Sequence, residues 1–318
     1  MDYSFIPIVS ICCITYNHQH FIRESLEGLL MQKTNFLFEI LIYDDASNDN
    51  TAKIIKEYEL KYPDKIKPVY QTENQYSKGV RGINSKYNFP RAKGKYIALC
   101  EGDDYWTDPL KLQKQIDFLE ANPDYILSCH HCHYLKENEV AVQDVSDDYS
   151  FSSFTLDDII KGNFITTCSV VFRNPGKLPS YSSKLPIGDW PLYLHLAKKG
   201  KIHFINKFMG VYRIHSGGIF SGQEKIVKIK QLLETTELII SNKEFEEKRL
   251  IRKIKTTRAN YILQILSLIQ FKNEKFIIKL KWYNRAIFNI NYFTFKQIRY
   301  LVLFPLVTLL KRNDSHGA

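Results

Sequence analysis

Three acidic residues, Glu101, Asp103 and Asp104, lie within four positions in the segment CEGDDYW. They follow KGKYIAL, an apolar run typical of a buried strand. Like charges at the end of a buried strand repel one another, and desolvation adds to that cost, so we expect a positive partner there. Hard divalent cations prefer carboxylate oxygens, and phosphates and water complete their coordination shells. The cluster predicts a metal-bridged phosphate site; the alternative is an acidic loop that caps the helix near Asp108.

A second acidic pair, Asp44 and Asp45, ends the apolar run of ILIYDDASNDNT. A carboxylate at the carboxyl end of a strand can accept hydrogen bonds from a ribose or from a base N–H. The alternative is helix capping, which Ser47 or Asp49 could also provide. The chain has neither a G-x-G-x-x-G fingerprint nor a G-x-x-x-x-G-K-[ST] loop, so phosphate binding by glycine backbone lacks support.

Strands and helices alternate in the first half of the chain. Apolar runs that end in turn residues predict strands at PIVSICCITYN, FEILIYDD, IKPVYQT and KGKYIALCE, and helically spaced apolar residues predict helices between the first three and after the fourth. KGVRGINSKYNFPRA is interpreted as a polar loop or irregular helix. The predicted fold class is therefore α/β, a mostly parallel, doubly wound sheet flanked by helices, with ligands at the carboxyl ends of the strands.

The pattern becomes almost purely helical from about Gln223, which predicts a first domain at residues 1–222 and a helical extension at 223–318. Residues 1–222 contain 25 Lys and Arg against 26 Asp and Glu, whereas residues 223–318 contain 19 against 8. A local basic excess indicates an anionic partner, either nucleic acid or a membrane surface, unless it is a solvated helical face.

The segment FKQIRYLVLFPLVTLLKR is apolar over residues 300–310, which is too short for the roughly 20 residues that a bilayer requires. It could lie in the membrane interface, where Lys296, Arg299, Lys311 and Arg312 would meet anionic headgroups, or it could pack on protein.

Six cysteines without a regular framework, and an N-terminus that resembles a first strand better than a signal peptide, predict reduced thiols in the cytoplasm. The stretch CHHCH at residues 129–133 has C-x-x-C spacing but no second ligand pair. Alternate residues of a strand face opposite sides, so we interpret this stretch as a strand and not as a zinc site.

In this order, VSICCITYN, ILIYDDASNDNT and KGKYIALCEGDDYW resemble the family 2 nucleotide-sugar glycosyltransferases, which have the GT-A fold. The resemblance spans roughly residues 6–220. It implies that Thr15, Tyr16 and Asn17 lie beside the nucleotide base, and that Asp45, with Asp44 adjacent, contacts the base or the ribose.

The family's D-x-D motif falls on Glu101-Gly102-Asp103, which implies Mn²⁺ or Mg²⁺ as cofactor and a metal-bound diphosphate. Glutamate stands in the first place, so the resemblance assigns the metal to Asp103 more firmly than to Glu101. The segment VYRIHSGG resembles the part that folds over the diphosphate, where Arg213 would pair with phosphate and His215 would join the metal. The alternative for His215 is a structural role.

PIGDWPLYLHL resembles the acceptor-side motif of the family, in which a carboxylate acts as general base. Only Asp189 is available for this role, because Gly188 stands in place of the first acid. Trp190 could offer a stacking surface to a sugar, and Asp104 would face the diphosphate or the acceptor. The alternative for Asp189 is a helix N-cap.

The resemblance implies a cytoplasmic, metal-dependent, inverting glycosyltransferase, acting either free in the cytoplasm or at the inner face of the membrane. A UDP-sugar is the first candidate donor, the acceptor would be a glycan or lipid-linked glycan of surface polysaccharide or lipopolysaccharide biosynthesis, and no nucleic acid partner is expected. A nucleotidyltransferase should show a phosphate loop near its N-terminus, and a receiver module is much shorter. A non-catalytic glycan- or nucleic-acid-binding protein stays open because of Glu101 and Gly188.

Overall fold

The computed structural model describes residues 6–136, 139–141, 153–178, 184–242, 247–270, 276–299 and 301 of the chain. The chain divides into two compact units, Met1–Gly222 and Gln223–Ala318.

Strands and helices alternate in the first part of the first unit, as the sequence predicts. Its elements are β1 (Val9–Thr15), α1 (Ile22–Leu30), β2 (Phe38–Asp44), α2 (Thr51–Lys61), β3 (Ile66–Tyr70), β4 (Tyr96–Leu99), β5 (Tyr105–Trp106), α3 (Lys111–Ala121), β6 (Tyr125–Lys136), β7 (Glu139–Ala141), β8 (Ser153–Phe154), α4 (Leu156–Ile159), β9 (Val171–Arg173), α5 (Asp189–Ala197) and β10 (Lys201–Ile214).

The described strands form one sheet in the order β3-β2-β1-β4-β9-β6-β10-β5, with β7 paired to β6 and β8 paired to β10. β3, β2, β1 and β4 are adjacent in the sheet and run parallel to one another, and β10 is parallel to β6. β9, β5, β7 and β8 run antiparallel to their partners. The mostly parallel sheet flanked by helices confirms the predicted fold class.

Burial on both faces explains why the central strands are continuous apolar runs. Every residue of β2 and of β4 is buried, including the polar ones. α1 packs into the same core through Ile22, Leu26 and Leu29, which lie four and three positions apart and therefore on one face. This packing fixes the positions of the strand ends that the acidic residues follow.

One segment departs in detail from its sequence pattern. The residues TTCSVVFRN are typical of a strand over their whole length, but they begin with a 3₁₀ turn at Thr167–Ser169, in which the Ser169 hydroxyl donates to the Thr166 carbonyl at 2.7 Å. IHFINKFMGVYRIH forms a single long strand, β10, whose pairing with β6 shifts register at three places. The polar stretch before β4 contains a π-helical turn at Asn84–Asn88, which agrees with the expected irregular helix.

The described part of the second unit is helical, as predicted, with α6 (Lys225–Ser241), α7 (Lys248–Gln270), α8 (Phe276–Ile287) and a 3₁₀ turn at Ile290–Tyr292. Among the described helices, none has the combination of length and hydropathy that crossing a bilayer requires. The predicted interfacial segment at 300–310 lies outside the described residues apart from residue 301.

Candidate active site

The carboxyl ends of β1, β2 and β4 meet at one edge of the sheet. Parallel pairing aligns Thr15 with Asp44, and it aligns Cys12 with Leu99. The turn after β4 stays against β1, because the Gly102 amide donates to the Ile14 carbonyl at 2.9 Å. The two predicted acidic clusters therefore share this edge.

Gly102 lies so close to the end of β1 that no side chain fits there. A Cβ at this position would lie 2.7 Å from Thr15 Oγ1, 2.8 Å from Thr15 Cβ and 3.1 Å from His18 Nδ1. Such short contacts to a strand end require displacement of the turn. The glycine between Glu101 and Asp103 is therefore a packing requirement that holds both acids against β1.

We expect Gly102→Ala to weaken binding of Mn²⁺ and UDP about 10-fold, and to lower the free energy of unfolding by about 1–3 kcal/mol, because the turn must move away from Thr15. Calorimetry and urea unfolding measure the two effects. Gly162→Ala is the matched control, since a Cβ there meets nothing within 4 Å. If the two variants behave alike, the turn has room for a side chain and the packing argument fails.

Two histidines converge on the Asp103 carboxylate. Its Oδ2 lies 3.0 Å from His215 Nε2 and 3.8 Å from His18 Nε2. Burial alone would raise the pKa of Asp103, but the hydrogen bond with His215 and the proximity of both imidazoles lower that pKa below its usual range. Asp103 is therefore an anion at neutral pH.

These groups fit a divalent cation. His18, Asp103 and His215 offer ligand atoms within 4.8 Å of one another, and so do Glu101, Asp103 and Asp104. Burial lowers the pKa of His18, which keeps its imidazole in the neutral form that binds metals. Imidazole nitrogens beside a carboxylate favour Mn²⁺ over Mg²⁺, whose ligands are almost entirely oxygens. Sequence reasoning missed His18, whose available signal was its place three residues after Thr15.

Glu101 differs from Asp103 in charge. Burial, together with the smaller effects of the Asp103 and Asp189 carboxylates, raises the pKa of Glu101 to about 8. At neutral pH and without a cation, the carboxyl group of Glu101 is therefore mostly protonated and can donate a hydrogen bond. Its role as a metal ligand stays a prediction, and the negative charge of the turn comes from Asp103.

Asp104 and Arg213 form a buried support under this turn, with exposed fractions of 1% and 8%. The Arg213 amide donates to Asp104 Oδ1 at 2.9 Å, and its guanidinium donates to the Asp103 carbonyl at 2.6 Å and pairs with Glu24. The guanidinium carbon also lies 4.5 Å from the centroid of the Tyr105 ring. Both groups thus position the turn, and their predicted contacts with a diphosphate or an acceptor stay predictions.

Asp189 is the first residue of α5, and Gly188 is the N-cap. Its Oδ1 accepts the Trp190 amide at 2.7 Å and its Oδ2 accepts the side-chain amide of Asn163 at 2.9 Å. Burial raises the pKa of Asp189 in spite of these hydrogen bonds. The charge of Asp189 is one of the causes that raise the pKa of Glu101, although the two residues come from different elements.

Trp190 is part of the core. Its side chain is fully buried, and the indole N–H donates to the Ile159 carbonyl at 2.8 Å. The predicted stacking surface for a sugar is therefore wrong, because neither face of the indole reaches solvent. The hydrogen bond to Ile159 instead ties the start of α5 to α4.

Asp44 and Asp45 hold two loops together at the same edge and are 2% and 5% exposed. The Asp44 carboxylate accepts hydrogen bonds from the Ser47 amide, at 3.2 Å, and from the Ser47 hydroxyl. These bonds close the turn after β2. Asp45 accepts the amides of Gln75 and Tyr76 at 2.8 and 3.0 Å, which fixes the loop after β3. Their contact with a base or ribose stays a prediction.

The end of β1 presents one exposed aromatic ring. Tyr16 is 38% exposed, whereas Thr15 before it is buried. Asn17 has a φ of +56°, a left-handed conformation that asparagine tolerates, and its side-chain oxygen accepts the Asn48 amide at 2.9 Å. The turn thus leaves the Tyr16 ring available beside the loop that follows β2, as a nucleotide base would require.

The CHHCH stretch lies inside β6, and its side chains point to different surroundings. His131 and His133 stack on Phe208, with ring centroids 5.1 and 4.3 Å away, whereas the ring of His130 bonds to the His131 carbonyl. Among the residues that the structure describes, the candidate metal groups are the two at the strand edge.

Comparison with known proteins gives the following sequence matches. The profile described as Glycosyl transferase family 2 matches residues 10–175. An uncharacterized protein of Mycobacterium tuberculosis is 39% identical over 216 residues, which are 67% of this chain and 60% of that protein. The match thus spans less than two thirds of that relative's length. The Escherichia coli UDP-Glc:alpha-D-GlcNAc-diphosphoundecaprenol beta-1,3-glucosyltransferase WfaP is 28% identical over 240 residues, 74% of this chain and 87% of WfaP.

Solved structures show the same fold. Staphylococcus aureus TarS in complex with UDP-GlcNAc matches with a TM-score of 0.62 at 17% identity, over 96% of this chain and 88% of TarS. The mannosyltransferase PcManGT from Pyrobaculum calidifontis, in complex with GDP-Man and Mn²⁺, matches with a TM-score of 0.57 at 14% identity, over 96% and 87%. At such identities the likeness shows the fold alone, which is the GT-A fold expected from the motifs.

Proposed function

The chain belongs to glycosyltransferase family 2, and from this premise we propose that it transfers a hexosyl or N-acetylhexosaminyl group from a nucleotide-sugar to a hydroxyl of a glycan or lipid-linked glycan. We take a UDP-sugar as the first candidate donor, since WfaP is named for UDP-Glc and TarS was solved with UDP-GlcNAc. The diphosphoundecaprenol in the name of WfaP supports a lipid-linked acceptor and a place in surface polysaccharide biosynthesis.

One observation supports this proposal most strongly: His18, Asp103 and His215 offer ligand atoms within 4.8 Å of one another beside the carboxyl end of β1. Asp103 is ionised beside the two histidines, and the charge of Asp189, at the start of α5, contributes to the raised pKa of Glu101. Sugar transfer needs charge stabilisation at the departing diphosphate and a base at the acceptor hydroxyl. Asp103 with its histidines is the candidate for the first role, and Asp189 is the candidate for the second.

In the proposed reaction, Asp189 accepts the proton of the acceptor hydroxyl while the oxygen attacks the anomeric carbon. The new C–O bond forms as the bond to the nucleoside diphosphate breaks, so a single displacement inverts the configuration. A divalent cation held by Asp103, with His18, His215 and Glu101 in reach, would offset the charge of the departing diphosphate.

Calorimetric binding of UDP, GDP, CDP and ADP, with and without Mn²⁺, tests the donor assignment. Metal-dependent binding with a preference for UDP is the expected result. A preference for GDP would keep the reaction class and change the donor, in line with the GDP-Man complex of PcManGT. Equally weak binding of all four nucleotides, with no effect of Mn²⁺, would overturn the donor site.

The pH profile of the reaction tests the proposed base. Burial raises the pKa of Asp189 above the usual value of about 3.9, and the hydrogen bonds from Trp190 and Asn163 offset only part of that rise. The base must be ionised, so kcat should be full above this raised pKa and fall as the pH drops through it. We expect an acid limb at higher pH than an ordinary aspartate gives, measured as kcat at saturating donor and Mn²⁺. A kcat that stays constant down to about pH 4 would contradict the assignment.

A further inference from the structure

The second unit concentrates positive charge on two helices. α7 contains six Lys and Arg residues and no Asp or Glu, and residues 276–299 contain five and none. Residues 1–222, by contrast, contain 25 basic and 26 acidic residues, so their charges nearly balance. A surface of one sign attracts a partner of the opposite sign, so this part of the chain has the charge of an anion-binding surface.

Part of this charge lines a cavity of about 430 Å³. Lys248, Arg252 and Lys255 lie on one face of α7, because residues three and four positions apart are neighbours on a helix surface. The lining consists of Lys248, Ile251, Arg252, Lys255, Asn291 and Tyr292. Within the part of the chain that the structure describes, no acidic side chain pairs with any of the three cations. Three cations without acidic partners around one cavity suit the oxygens of a phosphate group.

Exposed apolar side chains flank the 3₁₀ turn at Ile290–Tyr292, which contributes Asn291 and Tyr292 to the lining of this cavity. Phe288 is 88% exposed and Phe295 is 85% exposed, and they lie three residues before Asn291 and three residues after Tyr292. Ile290 adds a side chain that is 38% exposed. Aromatic rings beside basic residues are typical of segments that lie in a membrane interface, where the rings enter the headgroup region and the cations meet phosphates.

We propose that this docking surface, formed by the α7 cavity together with Phe288 and Phe295, binds the anionic phospholipid surface of a membrane. Binding consists of phosphate contacts to Lys248, Arg252 and Lys255 and of shallow insertion of the two rings. It requires no spanning helix and no chemistry at the sheet edge, so it goes beyond the proposed transfer reaction. It would hold the enzyme at the surface where a lipid-linked acceptor resides.

Cosedimentation of the full chain with vesicles tests this docking surface. Vesicles contain phosphatidylcholine alone or phosphatidylcholine mixed with phosphatidylglycerol, and we expect binding only to the mixed vesicles. The triple variant Lys248→Gln/Arg252→Gln/Lys255→Gln and the double variant Phe288→Ser/Phe295→Ser should each lower the partition coefficient about 10-fold or more. Unfolding midpoints of both variants should match that of the unaltered chain, because the replaced side chains lie on the surface.

Matched controls come from the first unit. Lys53→Gln/Lys93→Gln/Lys177→Gln removes the same charge from exposed positions, and Leu60→Ser removes an apolar side chain that is 83% exposed. Both controls should bind mixed vesicles like the unaltered chain. Equal losses in the controls and in the docking-surface variants would overturn the proposal, because net charge or general apolarity would then explain the binding.

Other occupants of the surface give distinct results, each of which overturns the proposal. Binding of inorganic pyrophosphate that the triple variant abolishes, without recruitment to vesicles, would indicate a soluble anion. If light scattering shows a dimer for the unaltered chain and a monomer for the double phenylalanine variant, again without recruitment to vesicles, the occupant would be a second copy of the chain. Binding to RNA but not to vesicles would indicate a nucleic acid. Metal-dependent UDP binding, measured on the same preparations, reports separately on the proposed function.

Discussion

Asp103→Asn is expected to weaken the binding of UDP in the presence of Mn²⁺ by about 100-fold or more, with little change in the weak binding without metal. Asparagine keeps the size of the side chain and one oxygen acceptor but removes the negative charge. That charge is present in the unaltered protein at neutral pH, because the contacts with His215 and His18 lower the pKa of Asp103. The loss should therefore appear in the metal-dependent part of the affinity, measured by calorimetry at several Mn²⁺ concentrations.

Asp64→Asn is the matched control, since Asp64 is exposed and lies outside the candidate site. His215→Gln, which removes a neighbour of the carboxylate but leaves its charge, should have a smaller effect of about 10-fold. If Asp103→Asn binds UDP with unaltered metal dependence, the cation is held elsewhere. If it loses metal-free binding as well, the substitution has damaged the turn, and a lower unfolding midpoint without Mn²⁺ would show that damage directly.

The parts of the fold that the sequence predicted are those in which the pattern is local. β1, β2 and β4 are buried on both faces, so apolar residues predominate along them and identify them without any knowledge of their partners. α1 shows its buried face through the spacing of Ile22, Leu26 and Leu29. The 3₁₀ turn at Thr167–Ser169 has no such pattern, and because it leads directly into the apolar residues of β9, the sequence suggests a longer strand than the three residues observed.

The candidate site was predicted to the extent that it depends on strand order. Acids that follow parallel strands reach the same edge, which is why the neighbourhood of Asp44 and Asp103 could be predicted. The inward direction of Arg213 depends on the antiparallel pairing of Tyr105 with Val211, which joins residues far apart in sequence. No local pattern encodes that register, so the contacts of the guanidinium with Tyr105 and Glu24 could not be predicted from the sequence.

His18 and Trp190 show the same difference between local and non-local information. The contact of His18 with Asp103 follows from the packing of Gly102 against the end of β1, which only the assembled sheet produces. Trp190 follows the candidate base directly in sequence, as an acceptor-binding ring would, but α5 turns its indole toward the Ile159 carbonyl. Residue type suggested its chemistry, and helix packing decided whether that chemistry is accessible.

Asp189→Asn should lower kcat about 1,000-fold while leaving the affinity for UDP and Mn²⁺ unchanged. Asparagine can still accept one of the two amides, from Trp190 or from Asn163, through its single oxygen, so most of the start of α5 should stay in place. It cannot accept a proton from an acceptor hydroxyl. Because burial raises the pKa of Asp189, its negative charge disfavours the folded state at neutral pH, so removing that charge should not unfold the protein.

The comparison of kcat with nucleotide affinity separates a base from a structural residue. Asp117→Asn, at an exposed position of α3, is the control and should change neither quantity. An unaltered kcat in Asp189→Asn would assign the proton to another group, and Glu101 would then be the next candidate, because its pKa of about 8 suits proton transfer near neutral pH. A parallel loss of UDP affinity would instead mean that Asp189 supports the donor site. Only a loss confined to kcat, together with disappearance of the acid limb of the pH profile, identifies Asp189 as the group that accepts the proton.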